Sequence, residues 1–167
     1  MDYATLPLEE AASQGMAIAS HASARPDDIA VRDMLGKRLT WQELNAAANQ
    51  LANLLHDHGL VPGDGVALLC SNRVEFAIVV AATQRTGTRF TPINWHLTGE
   101  EVSYIVDNCD AKIFIAEDRY KPAAEYAASE NPDLAARLSI GGELSQFKDL
   151  LQAISGYDGS DITKPVR

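Results

Sequence analysis

The sequence predicts an α/β fold: a Rossmann-like, largely parallel sheet flanked by helices, with an N-terminal β-hairpin. Three observations predict it. Short runs, VALLC (66–70), Thr88–Pro92 and KIFIA (112–116), alternate with longer segments of helical periodicity. The connections are short, which implies parallel strands joined by right-handed crossovers. The helical segments open on capping signatures at Thr40, Asn72 and Thr98, and the first two close on Gly59 and Gly87.

Each element has its own warrant. Leu8–Ser20 reads as one helix within a lead-in that extends to residue 25. AVRDM (30–34) and KRLTW (37–41) flank the short turn Leu35-Gly36, a hairpin pattern. Thr40 and Glu43 form a T-x-x-E capping box. Leu44, Ala48, Leu51 and Leu55 then follow at helical spacing and build one apolar stripe. Gly59 is the natural stop. Pro62-Gly63-Asp64-Gly65 is a turn, and the all-apolar VALLC suits a strand buried on both faces. Asn72 with Glu75 repeats the cap signature before a largely apolar helix through Arg73–Arg85, which Gly87 ends. Thr98 and Glu101 open a further helix with Val102, Ile105, Val106 and Cys109 on one face. Beyond Asp118 the pattern weakens: helices are expected near Pro122–Ser129 and Gly142–Ile154, with a short strand near Leu138–Ile140. These elements make one α/β subdomain over 1–154. Residues 155–167, rich in Gly, Asp and Ser, read as a linker.

Composition narrows the function. A length of 167 residues fits one domain with a sizeable core, and 46% hydrophobic with 22% charged residues is ordinary for a globular protein. A net charge of −9 argues against nucleic acid or an anionic membrane as partner. No apolar stretch approaches the roughly 20 residues that span a bilayer, so no transmembrane segment is expected. The acidic N-terminus lacks a secretory pattern. Cys70 and Cys109 lie in apolar stretches without CxxC spacing and read as reduced thiols of a cytoplasmic protein.

The common phosphate cradles G-x-x-x-x-G-K-[ST] and G-x-G-x-x-G are absent, as is G-x-S-x-G. His56 and His58 point about 200° apart on a helix and cannot share one metal on one face. Glu43, Glu75 and Glu101 are explained by helix caps, and Glu100 complements a helix dipole. No catalytic residue and no metal ligand is therefore assigned.

The ordered run LTWQEL (39–44), PGDGVALLCSN (62–72) and RTGTRFTPINWHLTGEEVSYIVDNCDAKIFI (85–115) resembles the N-terminal part of AMP-forming acyl-CoA synthetases. These belong to the adenylate-forming superfamily of acyl/aryl-CoA ligases, peptide-synthetase adenylation domains and luciferases. The resemblance covers about Leu39–Glu117. RTGTRFTPIN is similar to a family motif usually written Lys/Arg-x-Gly-x-x-x-x-Pro-Ile/Leu-Asn/Asp, and the order and spacing of the motifs make the match specific. The resemblance implies the N-terminal subdomain of the adenylate-forming fold. It also implies, for the complete protein, an ATP- and Mg²⁺-dependent conversion of a carboxylic acid, fatty or aromatic, to an acyl-adenylate that the CoA thiol then attacks. The family's phosphate loop, nucleotide-binding residues, Mg²⁺ ligand and C-terminal lysine are expected after Arg167. The 167 residues alone are thus expected to be inactive, to bind none of these cofactors tightly, and to self-associate through an apolar face left uncovered.

Within the matched segment, loop 93–98 (INWHLT) follows a strand and precedes a helix, where ligands favour the carboxyl ends of parallel strands. His96 stands where relatives often carry an Arg near the CoA nucleotide; an imidazole lacks that guanidinium's bidentate grip. Some relatives place basic residues where Arg119 and Lys121 stand, to meet a CoA phosphate. Solvated loop charge is the plainer reading of all three. Trp95 reads as a packed aromatic at a subdomain seam, or as a flank for a ligand. Gly65 replaces a larger residue common in relatives and is expected to loosen its turn. Two alternatives remain: an adenylation domain that loads a carrier protein, and a stand-alone non-catalytic α/β binding module.

Overall fold

The computed structural model describes Tyr3 and residues 6–163. They fall into two compact units. One comprises the chain up to Pro62, Asn72–Thr88 and the chain from Gly156; the other comprises Gly63–Ser71 and Arg89–Ser155.

The first unit holds α1 (Leu8–Ser13), α2 (Ala17–Ala24), β1 (Ile29–Arg32), β2 (Arg38–Thr40), α3 (Trp41–Asp57) and α4 (Val74–Thr86). The helix expected over Leu8–Ser20 is broken in two. Gly15 adopts φ +70° and lies against the Gln84 backbone so closely that no Cβ fits, which forces a turn there. β1 and β2 form the expected antiparallel hairpin, with Val31 opposite Leu39. The Asp33 carboxylate accepts the N–H groups of Leu35 and Lys37, each at 2.9 Å, and fixes the turn.

Helix α3 starts as its sequence dictates. Thr40 Oγ1 accepts the Glu43 N–H at 3.2 Å, and Glu43 Oε2 accepts the Thr40 N–H at 2.8 Å. Leu44, Ala48, Leu51 and Leu55 are all buried. Gly59, at φ +77°, closes the helix: its N–H reaches the His56 carbonyl, and the Leu60 N–H reaches that of Leu55.

Helix α4 corrects a sequence expectation. Its N-cap is Arg73, with no side-chain cap, and the Asn72–Glu75 box does not form. Because the helix begins at Val74, Glu75 lies one residue short of the position that closes a box. Its buried carboxylate instead pairs with Lys37 Nζ at 2.7 Å and Arg73 Nε at 3.2 Å. Gly87, at φ +67°, ends α4 as expected.

The second unit contains β3 (Gly65–Leu69), β4 (Arg89–Ile93), α5 (Gly99–Asn108), β5 (Ala111–Glu117), α6 (Lys121–Glu130), β6 (Ala136–Ile140), β7 (Lys148–Asp149) and α7 (Leu150–Ile154). Its five strands run in the order β4-β3-β5-β6-β7, with every pairing parallel. Ala67, Leu69, Phe114 and Ala116 of the sheet pack with Val102 and Val106 of α5 and with Ala124 and Ala127 of α6. Thr98 and Glu101 form the capping box predicted for α5.

Two expectations change here. The helix expected over Gly142–Ile154 shrinks to α7. Gly141 and Gln146 both take positive φ, Lys148 and Asp149 pair with β6, and Asp149 caps α7 through the Gln152 N–H at 2.8 Å. Gly65 does not loosen a turn. It is the buried first residue of β3, and a Cβ there would lie 2.6 Å from the Cys109 carbonyl oxygen. Among the described residues, no helix is long and apolar enough to cross a membrane.

Candidate functional site: a groove at the strand ends

The sheet order puts β3 between β4 and β5, so the chain leaves β3 to one side and later returns to the other. Such a reversal opens a crevice at the carboxyl ends of parallel strands. Glu117 Oε2 accepts the Ser71 N–H at 2.8 Å and ties the ends of β3 and β5 together.

Two segments build a groove beside this point. After β4, Asn94 Oδ1 accepts the His96 N–H at 3.0 Å and the Asn94 carbonyl accepts the Leu97 N–H at 3.2 Å. This tight turn leaves Trp95 and His96 exposed on its outer side. After β5, a 3-10 turn over Asp118–Tyr120 leads into α6, with Pro122 suited to its first turn. Trp95, Leu97, Thr98, Glu100, Arg119, Tyr120, Ala123 and Tyr126 are among the residues around a groove of about 680 Å³.

One wall is aromatic. The Trp95 and Tyr120 rings stack at 5.6 Å and 21°, and the His96 ring lies 3.5 Å from Trp95. Tyr126 packs on Gly99, where a Cβ would come within 2.9 Å of the Tyr126 Cβ. The Tyr120 hydroxyl is shut off from solvent near Ser71, without a hydrogen bond of good geometry. Its burial and the nearby Glu117 push its pKa up. Arg119 supplies a cation and Glu100 an anion at the rim.

The three candidates fare differently. Arg119 lines the groove, exposed and without an ion pair among the described residues. His96 does not line the groove; it is exposed, with its ring against Trp95. Lys121 does not line the groove; its Nζ sits 3.6 Å from Glu125 Oε1 along α6. Sequence reasoning missed Tyr120 and Tyr126. Tyr120 had a signal, an aromatic next to a basic residue at a strand exit. Tyr126 had none, because its place depends on α6 packing beside α5. No group of three potential metal ligands occurs among the described residues.

A family model described as AMP-binding enzyme matches residues 18–160. The chain belongs to the AMP-binding enzyme family. The resemblance read from LTWQEL, PGDGVALLCSN and RTGTRFTPIN is thereby borne out. Within the family, the chain is similar to a fatty acid–[acyl-carrier-protein] ligase, ScoC, of Streptomyces coeruleorubidus: 31% identical over 71% of this chain and 22% of that protein. It is also similar to a medium/long-chain-fatty-acid–CoA/3-oxocholest-4-en-26-oate–CoA ligase of Mycolicibacterium smegmatis, 27% identical over 90% of this chain and 27% of the relative. The AMP-binding chain thus spans about a quarter of these curated relatives. Its fold matches the anthranilate CoA ligase AuaEII with a TM-score of 0.80 at 22% identity, covering 99% of this chain and 31% of that one. At that identity the likeness speaks to fold alone.

Proposed function

We propose that this chain is the N-terminal α/β subdomain (1–154) of an acyl-CoA ligase, with residues 155–167 leading toward the phosphate loop, and that its strand-end groove receives the CoA nucleotide. The reading is carried by one juxtaposition: the Arg119 guanidinium, without an ion pair among the described residues, beside the stacked Trp95 and Tyr120 rings at the carboxyl ends of β4 and β5. An aromatic face offers a surface for a base, and a guanidinium pairs with phosphate in a fixed fork. The residues present therefore fit a nucleotide. Glu100 opposes an anion on its own side of the groove and favours the Arg119 side. His96 touches the groove only through Trp95, against which its ring packs. Lys121 can join only by leaving Glu125, and at more than half exposure that pair holds it weakly.

The complete protein would use ATP and Mg²⁺ to activate a carboxylic acid, fatty or aromatic, as its adenylate. The adenylate supplies a good leaving group where a bare carboxylate has none, and CoA then displaces AMP. No residue of this chain is assigned to ATP or Mg²⁺, and the 167 residues by themselves are expected neither to catalyse adenylation nor to bind these cofactors tightly. Isolated, the stretch is expected to self-associate. A cytoplasmic location fits two free cysteines.

The carrier-protein ligase among the relatives supports a second reading, transfer to a phosphopantetheine-bearing protein instead of CoA. The complete protein, given ATP, Mg²⁺ and a panel of acids, separates the two. Acid-dependent pyrophosphate exchange with a CoA thioester as product supports the first reading. Exchange with a thioester only on carrier protein supports the second. Absence of acid-dependent exchange contradicts both and favours a non-catalytic module.

A further inference from the structure

One face of α3 carries amide side chains that a packing helix does not need: Asn45, Asn49, Gln50 and Asn53. All four donate to the stretch that follows α7. Asn53 Nδ2 reaches the Asp158 carbonyl at 2.9 Å, Gln50 Nε2 that of Tyr157 at 3.1 Å, and Asn49 Nδ2 that of Gly159 at 3.0 Å. Asn45 and Asn49 both donate to Asp161 Oδ1, at 2.8 and 3.0 Å. Tyr157 adds a hydroxyl bond to Asp57 at 2.8 Å.

The direction of these bonds is imposed from behind. Arg85 of α4 is fully buried, and its guanidinium donates to the Oδ1 atoms of both Asn49 and Asn45, the latter at 2.7 Å. A guanidinium only donates and a carboxylate only accepts. Each asparagine between them has one orientation that satisfies both ends, carbonyl toward Arg85 and amide toward Asp161. Burial lowers the Arg85 pKa to about 10, against the upward pull of Asp161 and Tyr3, so the cation persists at neutral pH. The buried charge is balanced by Asp161 through two amides rather than by contact.

We propose that residues 157–161 form a latch on α3, locked by the Arg85–Asn45/Asn49–Asp161 relay, that can open while α3 and α4 stay folded. The stretch carries the features of a detachable segment: it has no helix or strand of its own, and its outer end is held by two amide bonds and the Tyr157 hydroxyl. Ile162, 7% exposed, is the apolar plug beyond the relay. The latch rests on geometry within one unit and does not depend on the ligase reading.

Native-state cleavage of the complete protein by thermolysin tests it. Cleavage before Ile162, relative to the same bond in the unfolded variant, reports the open latch, and cleavage before Leu51, taken the same way, reports opening of α3. Asp161→Ala removes the acceptor that both asparagines donate to. It should raise cleavage before Ile162 roughly ten- to hundredfold, the loss of one or two hydrogen bonds to a charged acceptor, with cleavage before Leu51 unchanged. The pair Gln50→Ala with Asn53→Ala removes donors that take no part in the Arg85 relay and should raise the same cleavage severalfold. The proposal is overturned if neither variant changes cleavage before Ile162. It is equally overturned if both sites accelerate together in the Gln50→Ala/Asn53→Ala protein, because the stretch would then open only with α3.

Discussion

Glu75→Gln separates a capping residue from a buried ion-pair hub. The sequence presents Glu75 as the second of three capping-box glutamates, yet its carboxylate is 2% exposed and holds two cations. Removing one member of a buried pair costs about 3–5 kcal/mol. Two features lower that figure here: Lys37 is 39% exposed and can turn to water, and Gln keeps one acceptor oxygen. A loss of about 2 kcal/mol is therefore expected, or about 4–8 °C in melting temperature for a chain of 167 residues. Glu43→Gln and Glu101→Gln are the controls. Glutamine also closes a capping box, so each should cost under about 0.5 kcal/mol. The pH dependence has a defined sign. Burial pushes the Glu75 pKa up, but bonds from Lys37, its own backbone and Arg73 outweigh it and leave it below its ordinary 4.5. Its contribution is thus present above that value and is lost as pH falls through the lower folded one. Denaturation of the three variants from pH 3 to 7 reads both effects. Glu75→Gln losing no more stability than Glu43→Gln at neutral pH would refute the reasoning.

Other substitutions address the sheet and the groove. Gly65→Ala should cost about 1–3 kcal/mol in chemical denaturation, because its Cβ meets the backbone carbonyl of Cys109 rather than a movable side chain; an unchanged midpoint would show that β3 shifts freely. Tyr120→Phe removes a buried hydroxyl without a good partner and should leave stability within about 0.5 kcal/mol of wild type, or raise it; a loss above about 1 kcal/mol would mean that the hydroxyl is bonded in solution.

What the sequence made legible was local. The boxes at Thr40/Glu43 and Thr98/Glu101 and the stops at Gly59 and Gly87 depend on residues within a turn of each other, and all four form. The misreadings each involve a distant partner. Glu75 is drawn by Lys37, a residue of the hairpin. The break at Gly15 follows from the Gln84 backbone, and the helix expected from Gly142 is pre-empted by β6, which pairs with Lys148 and Asp149. The groove divides the same way. Arg119 and His96 were visible as polar residues after strands, whereas the stacking of Trp95 on Tyr120 brings two strand exits together and is written in neither segment alone.

The Michaelis constant for CoA in Arg119→Ala, measured on the complete protein beside its acid-dependent pyrophosphate exchange, tests the central claim most directly. Loss of one charge-assisted bond at an exposed site, about 1.5 kcal/mol, should raise that constant about tenfold and leave the exchange rate unchanged. An unaltered constant, or an equal fall in both half-reactions, would contradict a CoA nucleotide in this groove.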